Sequence, residues 1–147
     1  MSKQLKLKIV TPERLVLEEL VDQVSVPTTQ GEITILPDHV PLVAGLASGD
    51  IVGLVHGEHV PMAVVGGFIE VKKVDNMTEV AILADFAEHV GELTDEKINA
   101  SKILADELRH KLHNREDVDF EHFEAELERS LTRVKIADKW RTRKYRK

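Results

Sequence analysis

Residues 79–113 read EVAILADFAEHVGELTDEKINASKILADELRHKLH, and the spacing of apolar residues changes partway along them. Up to Ala84 the apolar residues form a short β-rich run. From Thr94 onward small and leucine residues recur three and four apart, at Ser101, Leu104, Ala105, Leu108 and Leu112, the interval that lines one face of a helix. Thr94 is placed to cap that helix, and Asp95 and Glu96 complement its positive end. Working outward, all eight glycines and all five prolines lie between Pro12 and Gly91, and the 56 residues after Gly91 contain neither. Gly and Pro mark turns and weaken helix interiors, so two architectures share the chain: strands and turns in residues 1–88, helices in residues 89–147.

In the first part short β-rich runs recur between turn signals. They are residues 5–10, 24–26, 33–35, 51–55, 60–65, 68–74 and 80–84, with turns expected at His56-Gly57-Glu58, Gly66-Gly67 and Asp75-Asn76-Met77. No helical period intervenes, which predicts an all-β antiparallel sandwich rather than a parallel βαβ sheet. In the second part the first helix should run to about His113, where the polar stretch Asn114-Arg115-Glu116-Asp117 breaks the period. Asp117 or Asp119 can cap a second helix with its stripe at Phe120, Phe123, Leu127, Leu131, Val134 and Ala137. The fold class is thus an N-terminal antiparallel β-sandwich followed by a C-terminal α-helical hairpin. Two helices alone bury little, so the hairpin needs the sandwich or a partner to lean on.

At 147 residues the chain is long enough to bury roughly 68–70% of its unfolded surface. It has no cysteine, which excludes disulfides, thiolate zinc sites, iron–sulfur clusters and cysteine nucleophiles. Aromatic residues make up 4%, too few for a base-stacking nucleic-acid platform. No uncharged run exceeds the eleven residues of 59–69, short of the roughly 18 needed to cross a bilayer. The opening MSKQLKLK lacks the apolar core of a signal peptide, so the chain is expected to stay where it is made. His110 and His113 share a helical face but have no third ligand in a zinc pattern, and no metal is expected. No serine sits in a nucleophile elbow, no phosphate loop is present, and Gly66-Gly67 lacks the rest of a dinucleotide fingerprint. The chain reads as a non-enzyme.

Charge and loop chemistry supply the positive signals. Residues 1–132 carry net −13 and residues 133–147 net +7, within a total of −6. A basic last turn complements the carbonyl end of a helix, and the tail beyond it is either solvated or meets an acidic partner such as protein, lipid or nucleic acid. Arg129 and Arg133 stand four apart on one helix face, where like charges repel by a few tenths of a kcal/mol, roughly, unless an anion meets them. Residues 31–42, GEITILPDHVPL, form a strand and a loop braced by Pro37 and Pro41, with Asp38 and His39 between. Two prolines reduce the freedom such a loop loses on presenting a defined surface.

The chain resembles the epsilon subunit of bacterial F-type ATP synthase. The resemblance rests on Thr11-Pro12-Glu13, on Gly31-Glu32 leading into Ile35-Leu36-Pro37-Asp38-His39-Val40-Pro41-Leu42, and on Leu46 and Gly49. It continues through Gly66-Gly67-Phe68-Ile69-Glu70-Val71, Ile82-Leu83-Ala84-Asp85-Phe86-Ala87-Glu88 and Asp117-Val118-Asp119-Phe120, covering nearly the whole chain in order. It implies a non-catalytic rotor subunit of the central stalk, peripheral to the membrane on its cytoplasmic face. The sandwich would bind the gamma subunit and the c-ring through Glu32, Leu36, Pro37, Asp38 and His39, with Asp38 standing where many members have glycine. The hairpin would move between a folded-down state and an extended state. In the extended state Arg129, Arg133, Lys135 and Lys139 would meet an acidic segment of the beta subunit among the alpha and beta subunits and block hydrolysis.

Some members of the family also bind regulatory ATP between the helices. The resemblance places Glu96, Arg129 and Arg133 at candidate ATP contacts, but Asn99 stands where that pattern has arginine. Loss of a charged bidentate donor from a triphosphate site argues against ATP sensing, so no cofactor is expected. The alternative from another class is a free-standing module whose basic tail binds nucleic acid in a salt-sensitive manner. The negative net charge and scarce aromatics count against it, and nucleic acid is not an expected partner.

Overall fold

A computed structural model describes residues 3–113 and 120–146. The strands are β1 (Leu5–Val10), β2 (Leu15–Val21), β3 (Gln23–Thr28), β4 (Gly31–Ile35), β5 (Leu42–Gly45), β6 (Gly49–Val55), β7 (Glu58–Val74) and β8 (Met77–His89). A 3-10 turn, Val90–Glu92, leads to α1 (Asp95–His113) and α2 (Phe120–Trp140). Strand order is β2-β1-β8-β7-β6-β3-β4, with β5 also on β7. The sheet folds over a core of alternate residues, with Leu5, Leu7 and Ile9 of β1 meeting Val24, Val26, Ile35, Ile51, Ile69 and Ile82. β6 pairs with residues 58–64 of β7 and β5 with residues 68–71, so the two ends of β7 serve different flanking strands.

The sandwich departs from expectation in four places. Gly66-Gly67 is no turn: residues 60–65 and 68–74 belong to one strand, kinked at φ 62° and 116°, and β8 keeps a single register across the kink. A Cβ at Gly67 would lie 2.0 Å from the Leu83 carbonyl oxygen, so glycine is what lets the two strands approach. β2 and β5 were not expected; β2 is an edge strand without clean alternation, and β5 has only four residues. β1 runs parallel to β8, from Lys6 opposite Glu79 to Val10 opposite Leu83, in a sheet otherwise antiparallel. These two strands stand at opposite ends of the sandwich sequence, so no tight turn dictates their direction. His56-Gly57 and Asp75-Asn76 do form two-residue hairpin turns with both φ positive.

The first helix begins as the sequence predicts. The Lys97 N–H donates to Thr94 Oγ1 at 3.2 Å, and Ser101, Ala105 and Leu108 are buried with Leu104 half-buried. In α2, Phe123 and Ala137 are buried and Leu127, Leu131 and Val134 half-buried. Ser130, Thr132, Ile136 and Trp140 are buried as well, which one stripe does not account for. The reason is that α2 packs on two neighbours: α1 and the outer face of the sheet. Ile136, Ala137 and Trp140 join Ala63 of β7, Val90, Leu93 and Ile98 in a second apolar cluster, so the hairpin is folded down on the sandwich. The expected caps Asp117 and Asp119, and the side chains of Leu112 and Phe120, lie outside the described residues.

Candidate interaction sites

The loop after β4 is built on a tight turn. The His39 N–H donates to the Leu36 carbonyl at 3.1 Å, with Pro37 at the second position and Asp38 at the third with φ 72°. Proline followed by a left-handed residue is the type II pattern, whose third position favours glycine. Asp38 is fastened there: its N–H donates to Thr78 Oγ1 at 2.7 Å, and its carboxylate pairs with Lys3 and Lys73 at 2.7 and 2.9 Å. Hydrogen bonds from Lys3 and then Lys73 lower its pKa. The charge is thus largely neutralised within the chain, and what the turn offers outward is apolar: Leu36 and Val40 are exposed. His39 Nδ1 lies 2.7 Å from the Val40 carbonyl. Glu32 is exposed on β4, opposite Pro27, so four of the five expected loop contacts share one turn and Glu32 stands apart on the strand.

On α2 the expected cations divide. Arg133 Nε donates to Glu88 Oε2 at 3.2 Å, and Lys97 Nζ meets the other oxygen at 3.2 Å, so the buried Glu88 carboxylate is paired on both sides. The Arg129 and Arg133 guanidiniums both lie over the Phe86 ring, 5.5 and 4.8 Å from its centroid. Lys139 Nζ pairs with Asp50 at 2.8 Å, and the same oxygen accepts from the buried Trp140 Nε1 at 2.9 Å. Leaving a buried indole N–H without that acceptor costs about 1–3 kcal/mol. Lys135 is exposed at a groove between the helices. For Arg133 the anion is supplied, in this conformation, by Glu88 of the chain itself, while the Arg129 guanidinium lies on the Phe86 ring.

Of the candidate ATP contacts, Arg129 and Arg133 share the Phe86 ring. Arg133 lines a cleft of about 190 Å³ with Lys97, Ala100, Ser101 and Leu104, and neither Glu96 nor Arg129 is among its walls. Among the described residues no group of three His, Asp or Glu side chains is placed to hold a metal, and no helix is long and apolar enough to cross a membrane.

One surface went unread in the sequence. Phe68 of β7 pairs directly with Leu83 of β8, both are exposed, and exposed Val43 of β5 lies on the strand alongside. Together they leave apolar surface open on the sandwich. The signal was present in Gly66-Gly67-Phe68: an aromatic just past a glycine kink, in a chain with few aromatics.

The profile of the ATP synthase delta/epsilon chain β-sandwich domain matches residues 4–90. The ATP synthase epsilon chain of Desulforamulus reducens is 35% identical over 138 residues, spanning 94% of this chain and all of the relative. That of Halalkalibacterium halodurans is 40% identical over 134 residues, spanning 90% and 96%. Among solved structures, a chain of the Euglena gracilis mitochondrial ATP synthase OSCP/F1/c-ring assembly shares the fold with a TM-score of 0.67 at 24% identity, over 88% of this chain and 78% of the other. The sandwich profile and the likeness over nearly the whole chain agree, and the chain belongs to the ATP synthase epsilon-chain family.

Proposed function

We propose that this chain joins the gamma subunit to the c-ring in the central stalk of a bacterial ATP synthase and restrains ATP hydrolysis through its hairpin. As an epsilon chain it is a non-catalytic part of that complex. The sandwich, residues 1–88, would make the assembly contacts through the Leu36-Pro37-Asp38-His39 turn, Glu32 and the apolar face around Phe68. The hairpin, residues 89–147, would regulate. The complex would hold the chain at the cytoplasmic face of the membrane, peripheral to it.

The observation that carries the regulatory reading is the double use of the basic residues. Arg133 and Lys139 are paired with Glu88 and Asp50 of the sandwich, and Arg129 stacks on Phe86. These cations cannot meet an acidic segment of the beta subunit without first leaving the sandwich. Docked and released hairpins are therefore alternative states whose balance any partner with a preference can shift. The test is ATP hydrolysis by the complex reconstituted with the full chain or with one ending after Glu92. Truncation should raise hydrolysis, and a difference that persists at high ATP argues against ATP sensing by Glu96, Arg129 and Arg133. Equal rates at every ATP concentration would remove the inhibitory role.

A further inference from the structure

Beyond Trp140 the chain does not run into solvent. The Arg143 N–H donates to the Trp140 carbonyl at 3.3 Å and turns the tail back. The Tyr145 ring then lies edge-on to Trp140, centroids 6.1 Å apart, and 6.4 Å from His89. Arg146 is anchored twice. Its N–H donates to the His59 carbonyl at 2.8 Å, and its guanidinium meets Glu19 of β2 fork to fork, Nη1 to Oε1 and Nη2 to Oε2. β8 leaves β7 at the Met62 and His89 pair, so the His59 carbonyl lies past the last β8 partner, and the tail takes that place. The two anchors sit on β7 and on the edge strand β2, and Glu19 is 127 positions from Arg146 in sequence.

We infer that residues 141–146 are a clasp that fastens the folded-down hairpin to the sandwich. The apolar seat of α2 is at its C-terminal end, in Ile136, Ala137 and Trp140, and the clasp closes immediately beyond it. Release of α2 by that end must therefore break the clasp first, so its contacts add to the same docking equilibrium. A two-pronged arginine–carboxylate pair holds geometry better than a lysine would, because both donors are fixed by one planar group. Arg146 also keeps the Glu19 carboxyl below its ordinary range, as a formed pair should. The inference concerns how firmly the hairpin docks in the isolated chain, so it stands or falls apart from inhibition of hydrolysis.

Hydrogen exchange of the full chain tests it, compared with Arg146→Ala, Glu19→Ala, the exchanged pair Glu19→Arg with Arg146→Glu, and a chain ending at Trp140. Each single variant should speed exchange of amides 131–140 by about two- to fivefold, the size of a favourable partly exposed pair, while the amides of β1 and β7 keep their rates. The exchanged pair should recover most of the protection, and the shortened chain should lose at least as much as Arg146→Ala. Changes under about twofold in Arg146→Ala and in the shortened chain would overturn the clasp, for the tail would then only rest on the surface. Should Glu19→Ala loosen β2 itself, those two variants decide, since both leave the sandwich sequence intact.

Discussion

The two halves of β7 are one strand with two fates. From Val60 to Val65 every residue is buried, whereas from Phe68 to Lys72 buried and exposed residues alternate. Both halves turn one face to the same core, so the difference lies on the outer face. Over the first half α2 lays Ile136, Ala137 and Trp140 against Ala63. Over the second half nothing among the described residues takes that place, and Phe68 is 63% exposed with Leu83 at 59% and Val43 at 69%. The sheet face thus receives cover from α2 at one end and keeps apolar side chains exposed at the other. The internal cover is held by one helix end, by the ion pairs of Arg133 with Glu88 and Lys139 with Asp50, and by the tail.

Breaking the covered half should have the largest effect. Trp140 is 3% exposed, fills the seat under the clasp and donates its indole N–H to Asp50. Trp140→Ala removes the transfer energy of a buried indole and leaves a cavity, about 3–5 kcal/mol in well-packed sites. Most of that should fall on hairpin docking rather than on the sandwich, whose core is a separate cluster. Urea unfolding followed by sheet and helix signals should therefore split, with α2 released at low urea and the sandwich melting near its original midpoint. A single unshifted transition would mean that the indole contributes little to docking.

Acid acts on the same seam more gently. Burial holds the His89 imidazole below its ordinary pKa, the Arg146 charge adds to this, and Glu92 opposes it. The neutral ring is also what the fold uses, since Nδ1 accepts the Gly91 N–H at 2.8 Å and caps the 3-10 turn. In the unfolded chain a histidine takes up its proton near about pH 6.5, before the folded one does. The contribution of His89 is therefore complete above that pH and declines as pH falls toward the lower folded value. Glu19 follows with a lower window: its stabilising effect is present above the ordinary carboxylate range and is lost as pH falls through its depressed value. Denaturant midpoints at pH 7.5 and 5.5 should differ in the native chain and differ less in His89→Gln; an equal difference would place the sensitivity elsewhere.

What could be read in advance follows from how local the cause is. The change of architecture near Gly91, the Thr94 cap, the Ser101, Ala105 and Leu108 stripe and the His56-Gly57 and Asp75-Asn76 turns all depend on neighbours within a few residues. The missed features depend on distant partners. Parallel pairing of β1 with β8, the second buried face of α2 at Ser130, Ile136 and Trp140, and the Arg146 pair with Glu19 are decided by where remote segments meet. The kink at Gly66-Gly67 looked like a turn because glycine signals positive φ without saying whether the chain reverses. For the proposed site, the tight turn at 36–39 and the place of the cations on α2 were legible in the sequence, as local features. That Glu88 and Asp50 would receive two of those cations was not, because an acidic residue near a predicted domain exit carries no mark of its partner.

The smallest effect on stability should come from the uncovered half, and that is what makes it informative. Phe68 is 63% exposed in the isolated chain, so Phe68→Ser gives up only about a third of a ring's burial and should lower the stability of the sandwich by about 1–2 kcal/mol at most, well below the Trp140→Ala cost. In the assembled complex the same ring would be covered, and a central aromatic is the kind of residue whose loss costs binding about 2 kcal/mol or more. Affinity for the gamma subunit should then fall about thirtyfold while the fold is unchanged, the reverse of the Trp140→Ala pattern. If Phe68→Ser weakens the isolated sandwich by more than that instead, the ring is part of the fold and the outer face needs no partner. If it leaves affinity unchanged, the contact with gamma lies elsewhere on the sandwich, and the contrast between the halves of β7 reflects only where α2 happens to reach.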